Sequence, residues 1–182
     1  MEPIRNAEAS NVLELLLQIK GELVWFVRIS ADNVLRMDFG SPHLKIREPI
    51  PHDPGNSQAV IDALERRMVA PTGRWHLFIS KSEWSVITGS YTCSRSDTNV
   101  EKIRATLGQL DGQRLVNVNP MSEPGDCSLE SDLGGVLRIS SPEPLGGGQE
   151  SEEVQWTLFF ENGDYVSYTN DGNLQRKGQE HG

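Results

Sequence analysis

Apolar residues follow a helical spacing in two segments, Ser10 to Ile19 and Thr98 to Leu110, the second opened by Ser96 and Asp97 as candidate caps. Elsewhere they alternate with polar ones at period two. The alternating runs are Leu23 to Ile29, Val34 to Phe39 and Leu44 to Arg47, and then Arg114 to Val118, Cys127 to Leu133 and Val136 to Ser140. Such alternation predicts strands with one buried and one wet face. Two further stretches, "WHLFISKSEWSVITG" and "WTLFFENGDYVSYTN", read as hairpins turning at Lys81–Ser82 and at Asn162–Gly163. Asn and Gly tolerate the positive φ of a two-residue turn, which would set Phe160 opposite Tyr165 and Phe159 opposite Val166.

The pattern repeats. "LLQIKG" at 16–21 answers "LGQLDG" at 107–112, "FGSPHLKIREP" answers "LGGVLRISSP", and the Trp75 strand answers the Trp156 strand. Blocks in the same order imply a duplication, with an insertion in the first copy. The insertion, "PHDPGNSQAVIDALERRMVAPTG", carries Val60, Ile61, Leu64 and Met68 at helical spacing and an Asp62–Arg66 pair. It predicts a helix at about 57–69 laid on the sheet. The second copy crosses the same gap with "EPLGGGQESEE", whose glycines predict a mobile acidic loop.

The expected fold class is therefore α+β: two tandem helix-plus-antiparallel-meander repeats related by a pseudo-twofold, sharing one compact body. The first repeat spans 1–95 with its inserted helix, the second 96–174, and 175–182 would be a frayed tail. A copy of this size is marginal for an independent core, which favours one structural domain.

Charge narrows the partners. Of the 17 Lys and Arg and 26 Asp and Glu behind the net −9, residues 1–95 hold eleven of each, so the whole acidic excess lies in the second half. That disfavours nucleic acid, which needs a basic face, and suits a basic protein partner. No run of apolar residues is long enough to span a membrane. Cys93 and Cys127 have neither metal-ligand nor CxxC spacing, and they read as reduced thiols of a cytoplasmic protein.

Candidate chemistry is sparse. No motif for a nucleophile, a metal or a phosphate is present, so no catalytic residue, cofactor or metal is expected. His52 and His181 fall in a Pro-rich loop and in the tail, and His43 in a turn. His76 stands beside Trp75 on a strand. It would become a catalytic base only with a carboxylate in reach. Glu123, Asp126, Glu130 and Asp132, with Glu150, Glu152 and Glu153, form the candidate partner-binding acids. Trp25, His76 and Trp84 are the candidate lining of a pocket between the copies.

With "LRMDFGSPHLKIREP", "GRWHLFISKSEWSVI" and "GVLRISSP", the chain resembles small bacterial proteins built of duplicated strand–glycine–strand units. Some of these stand beside polymorphic toxins as candidate immunity proteins. The resemblance brings no catalytic residues. It implies an interaction module, binding a basic partner through the acids of the second repeat. The alternative expectation is a small-molecule-binding β-rich protein with its pocket between the repeats.

Overall fold

The computed structural model describes residues 12–30, 32–51, 53, 55–121, 123, 125–142 and 153–177. A helix at residues 12–17 (α1) leads into β1 (Val24–Ile29) and β2 (Leu35–Phe39). Then come β3 (His43–Arg47), α2 (Gln58–Leu64), β4 (Met68–Thr72), β5 (Trp75–Ile79), β6 (Glu83–Thr88) and β7 (Tyr91–Ser94). The second half holds α3 (Val100–Gly108), β8 (Leu115–Pro120), β9 (Cys127–Ser131), β10 (Gly135–Ser140), β11 (Val154–Phe160), β12 (Tyr165–Thr169) and β13 (Leu174–Lys177). The fold is mixed, and every strand pairing is antiparallel.

One sheet has the order β1-β2-β5-β11-β12-β13, a second β7-β6-β10-β9-β8, and a third only β3-β4. Period-two rows from both large sheets meet in one core: Leu35, Met37 and Phe39, Leu77 and Ile79, and Trp156 and Leu158 from the first; Trp84 and Val86, Leu129, and Leu137 and Ile139 from the second. Leu16 and Ile19 of the first helical segment and Leu107 and Leu110 of the second fill the same cluster. Burying each such side chain stabilises by about 1.5–3 kcal/mol. The two sheets touch along one edge, at the bridge Leu23–Arg114.

Four hairpins turn by one device. Ser30 to Val34, Ser131 to Gly135, Phe160 to Asp164 and Thr169 to Asn173 each place a positive-φ residue at the fourth position: Asn33, Gly134, Gly163 and Gly172. In the third of these, Gly163 N–H donates to Phe160 O at 3.0 Å and Phe160 N–H to Asp164 O at 2.9 Å. This three-residue loop with its bulge, rather than a two-residue turn, sets Phe159 opposite Tyr165 and Leu158 opposite Val166.

Several expectations are corrected. β5 and β6 do not pair as a hairpin: the chain crosses at residues 80–82 from one large sheet to the other, where Gln155 O accepts from Ser80 and Lys81 N–H (2.8 and 3.2 Å) and Arg95 Nη1 donates to Ser80 O and Ser82 O. "HLKIR" joins neither large sheet, whereas "VLRIS" is the central strand of one. The two strands that open on Trp75 and Trp156, β5 and β11, are direct antiparallel neighbours in one sheet, with Leu77 opposite Leu158. The inserted helix ends at Leu64, none of its residues is buried, and Met68 opens a strand. Asp62 accepts from Gln58 Nε2 at 2.8 Å instead of pairing with Arg66.

Asn99 caps α3, its Oδ1 accepting from Lys102 N–H at 3.0 Å. Asp97 instead accepts from Lys102 Nζ at 2.8 Å, and the ammonium holds its carboxyl below the usual range. Residues 174–177 do not fray but form β13, with Leu174 packed on the core. The loop at 143–152 and the end at 178–182 lie outside the described residues. Both cysteines are unpaired and buried, and burial pushes the Cys127 thiol up to about 12.

Candidate functional site

The acids of the second half do not converge. Asp126 and Asp132 sit at opposite ends of β9, ~20 Å apart at about 3.4 Å per residue. Both brace backbone: Asp126 Oδ1 accepts from Ser141 N–H at 2.7 Å, and Asp132 Oδ1 from Arg114 N–H at 2.8 Å. Glu130 is half-buried in β9 and Glu123 is exposed in the loop before it. Glu153 faces Lys81 at 3.9 Å, and Glu150 and Glu152 lie outside the described residues. No group of three metal-ligating side chains occurs among the described residues.

The three candidate pocket residues are dispersed as well. Trp84 packs into the core, 2% exposed, with its Nε1 unpartnered. Trp25 is half-buried and donates from Nε1 to Gly40 O at 2.8 Å. It begins a bulge in β1 in which Phe26 takes φ 56 and lies under the Arg28 guanidinium. His76, on β5, is the one that meets polar partners.

Its ring lies between Asp38 on β2 and Thr72 on β4. Nδ1 is 2.9 Å from Asp38 Oδ1, and Nε2 is 2.9 Å from Thr72 Oγ1. A carboxylate accepts only, so Nδ1 carries the proton and, in the neutral ring, Nε2 takes the bond from the Thr72 hydroxyl. The second oxygen of Asp38, itself buried, accepts from Gly73 N–H at 3.0 Å. Hydroxyl, imidazole and carboxylate stand in the order of a nucleophile, base and orienting group. Thr72, however, is 7% exposed, and none of the three lines the groove described below. The cluster acts as a clasp: it fastens the end of β4 to β2 and β5. Gly73 is required there, since a Cβ would come within 2.6 Å of Phe39 O.

What the clasp fastens is an arm, residues 40–74, which leaves the sheet after Phe39 and returns at its cross-strand partner Trp75. Leu44 opposes Pro71 and Ile46 opposes Val69, so these four share one face of the β3–β4 ribbon. Leu44, Ile46 and Val69 are 68, 58 and 53% exposed. Arg47 Nη2 donates to Ala63 O at 2.6 Å and Arg67 pairs with Glu48 at 2.9 Å, which ties α2 and its C-terminal flank to the ribbon.

A groove of about 480 Å³ opens elsewhere, at the end of the six-stranded sheet beside α1. Leu15, Trp75, Phe160, Tyr165 and Val166 give it apolar and aromatic walls. Arg74 lies on the Trp75 ring, 5.2 Å from its centroid, and pairs with Glu161 at 3.4 Å. Arg176 and Lys177 complete the rim. Both belong to a segment whose polar pattern reads as a tail, and only the pairing of β13 with β12 brings them here.

No family model, no curated protein and no solved structure matches the chain. No helix among the described residues is long and apolar enough to cross a membrane.

Proposed function

We propose that the protein is an interaction module that holds a partner protein on its arm, taking an extended, apolar segment of that partner as an added strand on the β3–β4 ribbon. The observation that carries this is the exposed face of Leu44, Ile46 and Val69. A two-stranded ribbon is marginal in water without a third strand or a packed helix, and α2 covers it only in part, with Ile61 and Leu64 half-buried and no side chain fully so. Among the described residues β3 and β4 pair only with each other, so each has an edge whose N–H and C=O groups no described strand takes up. Such edges take strands, with the backbone giving affinity and alternate side chains specificity. The chain's net −9 would draw a basic partner at long range. Glu123, Asp126, Glu130, Asp132 and Glu153 then contribute to that field, in the way an immunity protein meets a basic toxin domain.

The test is co-purification of the tagged chain from its own cell, wild type beside I46D/V69D. Both substituted positions are exposed, so the variant should unfold at the same urea midpoint while losing its partner. A partner retained in full by a folded variant refutes the arm as the seat. A wild type that is dimeric and a variant that is monomeric would give the ribbon to a second copy instead.

We further infer that the body is a duplication in which each copy lends its last two strands to the other's sheet. The two sheet orders support this, since β1-β2-β5-β11-β12 and β8-β9-β10-β6-β7 become the same order when the copies are exchanged. The bonds around the Leu23–Arg114 bridge are reciprocal at a constant offset. Gly21 N–H donates to Leu115 O and Gly112 N–H to Val24 O, at 2.7 and 2.8 Å; Val24 N–H donates to Gln113 O and Leu115 N–H to Glu22 O, at 2.7 and 2.9 Å. Reciprocity of this kind is what a twofold axis produces. On this reading Trp84 answers Trp156, both buried with Nε1 unpartnered. The whole arm is then an insertion where the second copy has only the Ser131–Gly135 turn.

A further inference from the structure

The polar groups around the groove are not alike in what they already bind. Glu161 is paired with Arg74, and Asp164 Oδ2 accepts from Asn162 Nδ2 at 2.7 Å, so both acids are engaged locally. Arg176 and Lys177 have no partner among the described residues. They are also two of only six Lys and Arg in residues 96–182, a half that carries fifteen acids. A cationic pair standing free beside aromatic walls, in an otherwise acidic half, runs against the field of the molecule and so reflects something local.

We propose that the groove is a binding site for a small anion borne on a flat ring: a carboxylate or phosphate attached to an aromatic body. The ring would lie against Trp75 and Phe160, which oppose each other on one face of the sheet, where large apolar surface leaves water. The anion would be met by the Arg176 guanidinium in a two-pronged contact, on the same face as Val166, with Lys177 at the strand end adding its charge from the rim. Arg74 fixes the Trp75 ring by stacking on it and is itself neutralised by Glu161. A volume of about 480 Å³ suits a ligand of one to three rings. The site is separate from the apolar face of the arm, so one can fail without the other.

The full chain, labelled with ¹⁵N, is titrated with 1-naphthoate, with adenosine monophosphate, and with neutral 1-naphthamide. The four tryptophans give four indole N–H signals, assigned by single Trp→Phe changes. At least one anion is expected to shift the Trp75 signal in a saturable way while Trp84 and Trp156, in the core, stay still. The neutral amide is expected to bind about tenfold more weakly, and R176E/K177E to weaken the anion about tenfold or more, in line with loss of a charge-assisted contact. Which anion binds more tightly tells carboxylate from phosphate. The proposal is overturned if neither anion moves Trp75, if amide and naphthoate bind alike, or if the charge-reversed variant, folded by its spectrum, binds as the wild type does.

Discussion

Cutting out the arm tests how the body is assembled. Residues 40–74 would be replaced by Asp-Leu-Gly, the three residues that close β9 onto β10, so that Phe39 leads directly to Trp75. Among the described residues of this segment only Gly40, Thr72 and Gly73 are buried, so almost no apolar surface leaves the core. The loss is polar: the Gly73 N–H bond to the Asp38 carboxylate and the Thr72–His76 bond, about 1.5–3 and ~1 kcal/mol. Against it, shortening a connection of about 35 residues to three recovers ~2 kcal/mol of closure entropy. The expected result is a folded chain whose stability lies within about 2 kcal/mol of wild type. Urea unfolding followed by circular dichroism measures it, and the slope m should barely change because m follows the surface exposed on unfolding. An insoluble chain, or one that loses more than ~5 kcal/mol with m falling as well, would mean that the arm is part of the core-forming unit and not an insertion.

Asp38→Ala should cost ~3 kcal/mol, since it leaves Gly73 N–H and His76 Nδ1 unmatched in a site that is largely dry; hydrogen exchange should quicken in β4 before it does in β9. Leu16→Ala and Leu107→Ala each empty a fully packed position on the two helical segments, and each should cost about 2–5 kcal/mol by denaturant titration. A large cost at one and none at the other would argue against equivalent helices. The Cys127 thiol is pushed up to about 12 from an ordinary 9 by burial. Above pH 9 the unfolded chain therefore sheds a proton that the folded one keeps, so stability is full below about pH 9 and falls as the pH rises toward 12. Cys127→Ala should flatten that fall, and in the native chain the thiol should resist disulfide exchange at pH 8 until the protein unfolds.

The two helical segments and most of the strands are legible in the chain, because side-chain period reports which face is buried. The same period is silent about neighbours. Inner rows from both large sheets enter one core, so a Trp-x-Leu strand meets its burial requirement equally well in either. That is why "WHLFISKSEWSVI" passes for a hairpin, when Lys81 and Ser82 carry the chain across to the other sheet. It is also why "HLKIREP" passes for a core strand: Leu44 and Ile46 alternate correctly but face water on the arm.

The candidate site was the least legible part. His76 stands out in the chain only as a histidine lacking a carboxylate, Asp38 is 38 residues away, and the clasp exists only because β2 and β5 pair across the whole arm. Arg176 and Lys177 look like a solvated end until β13 closes on β12. What the sequence determined by itself was local: the side-chain period of helices and strands, and with it which face of each is apolar. Strand order, the projecting ribbon and the groove were decided only in three dimensions, because they depend on which buried faces meet, and burial alone does not name a partner.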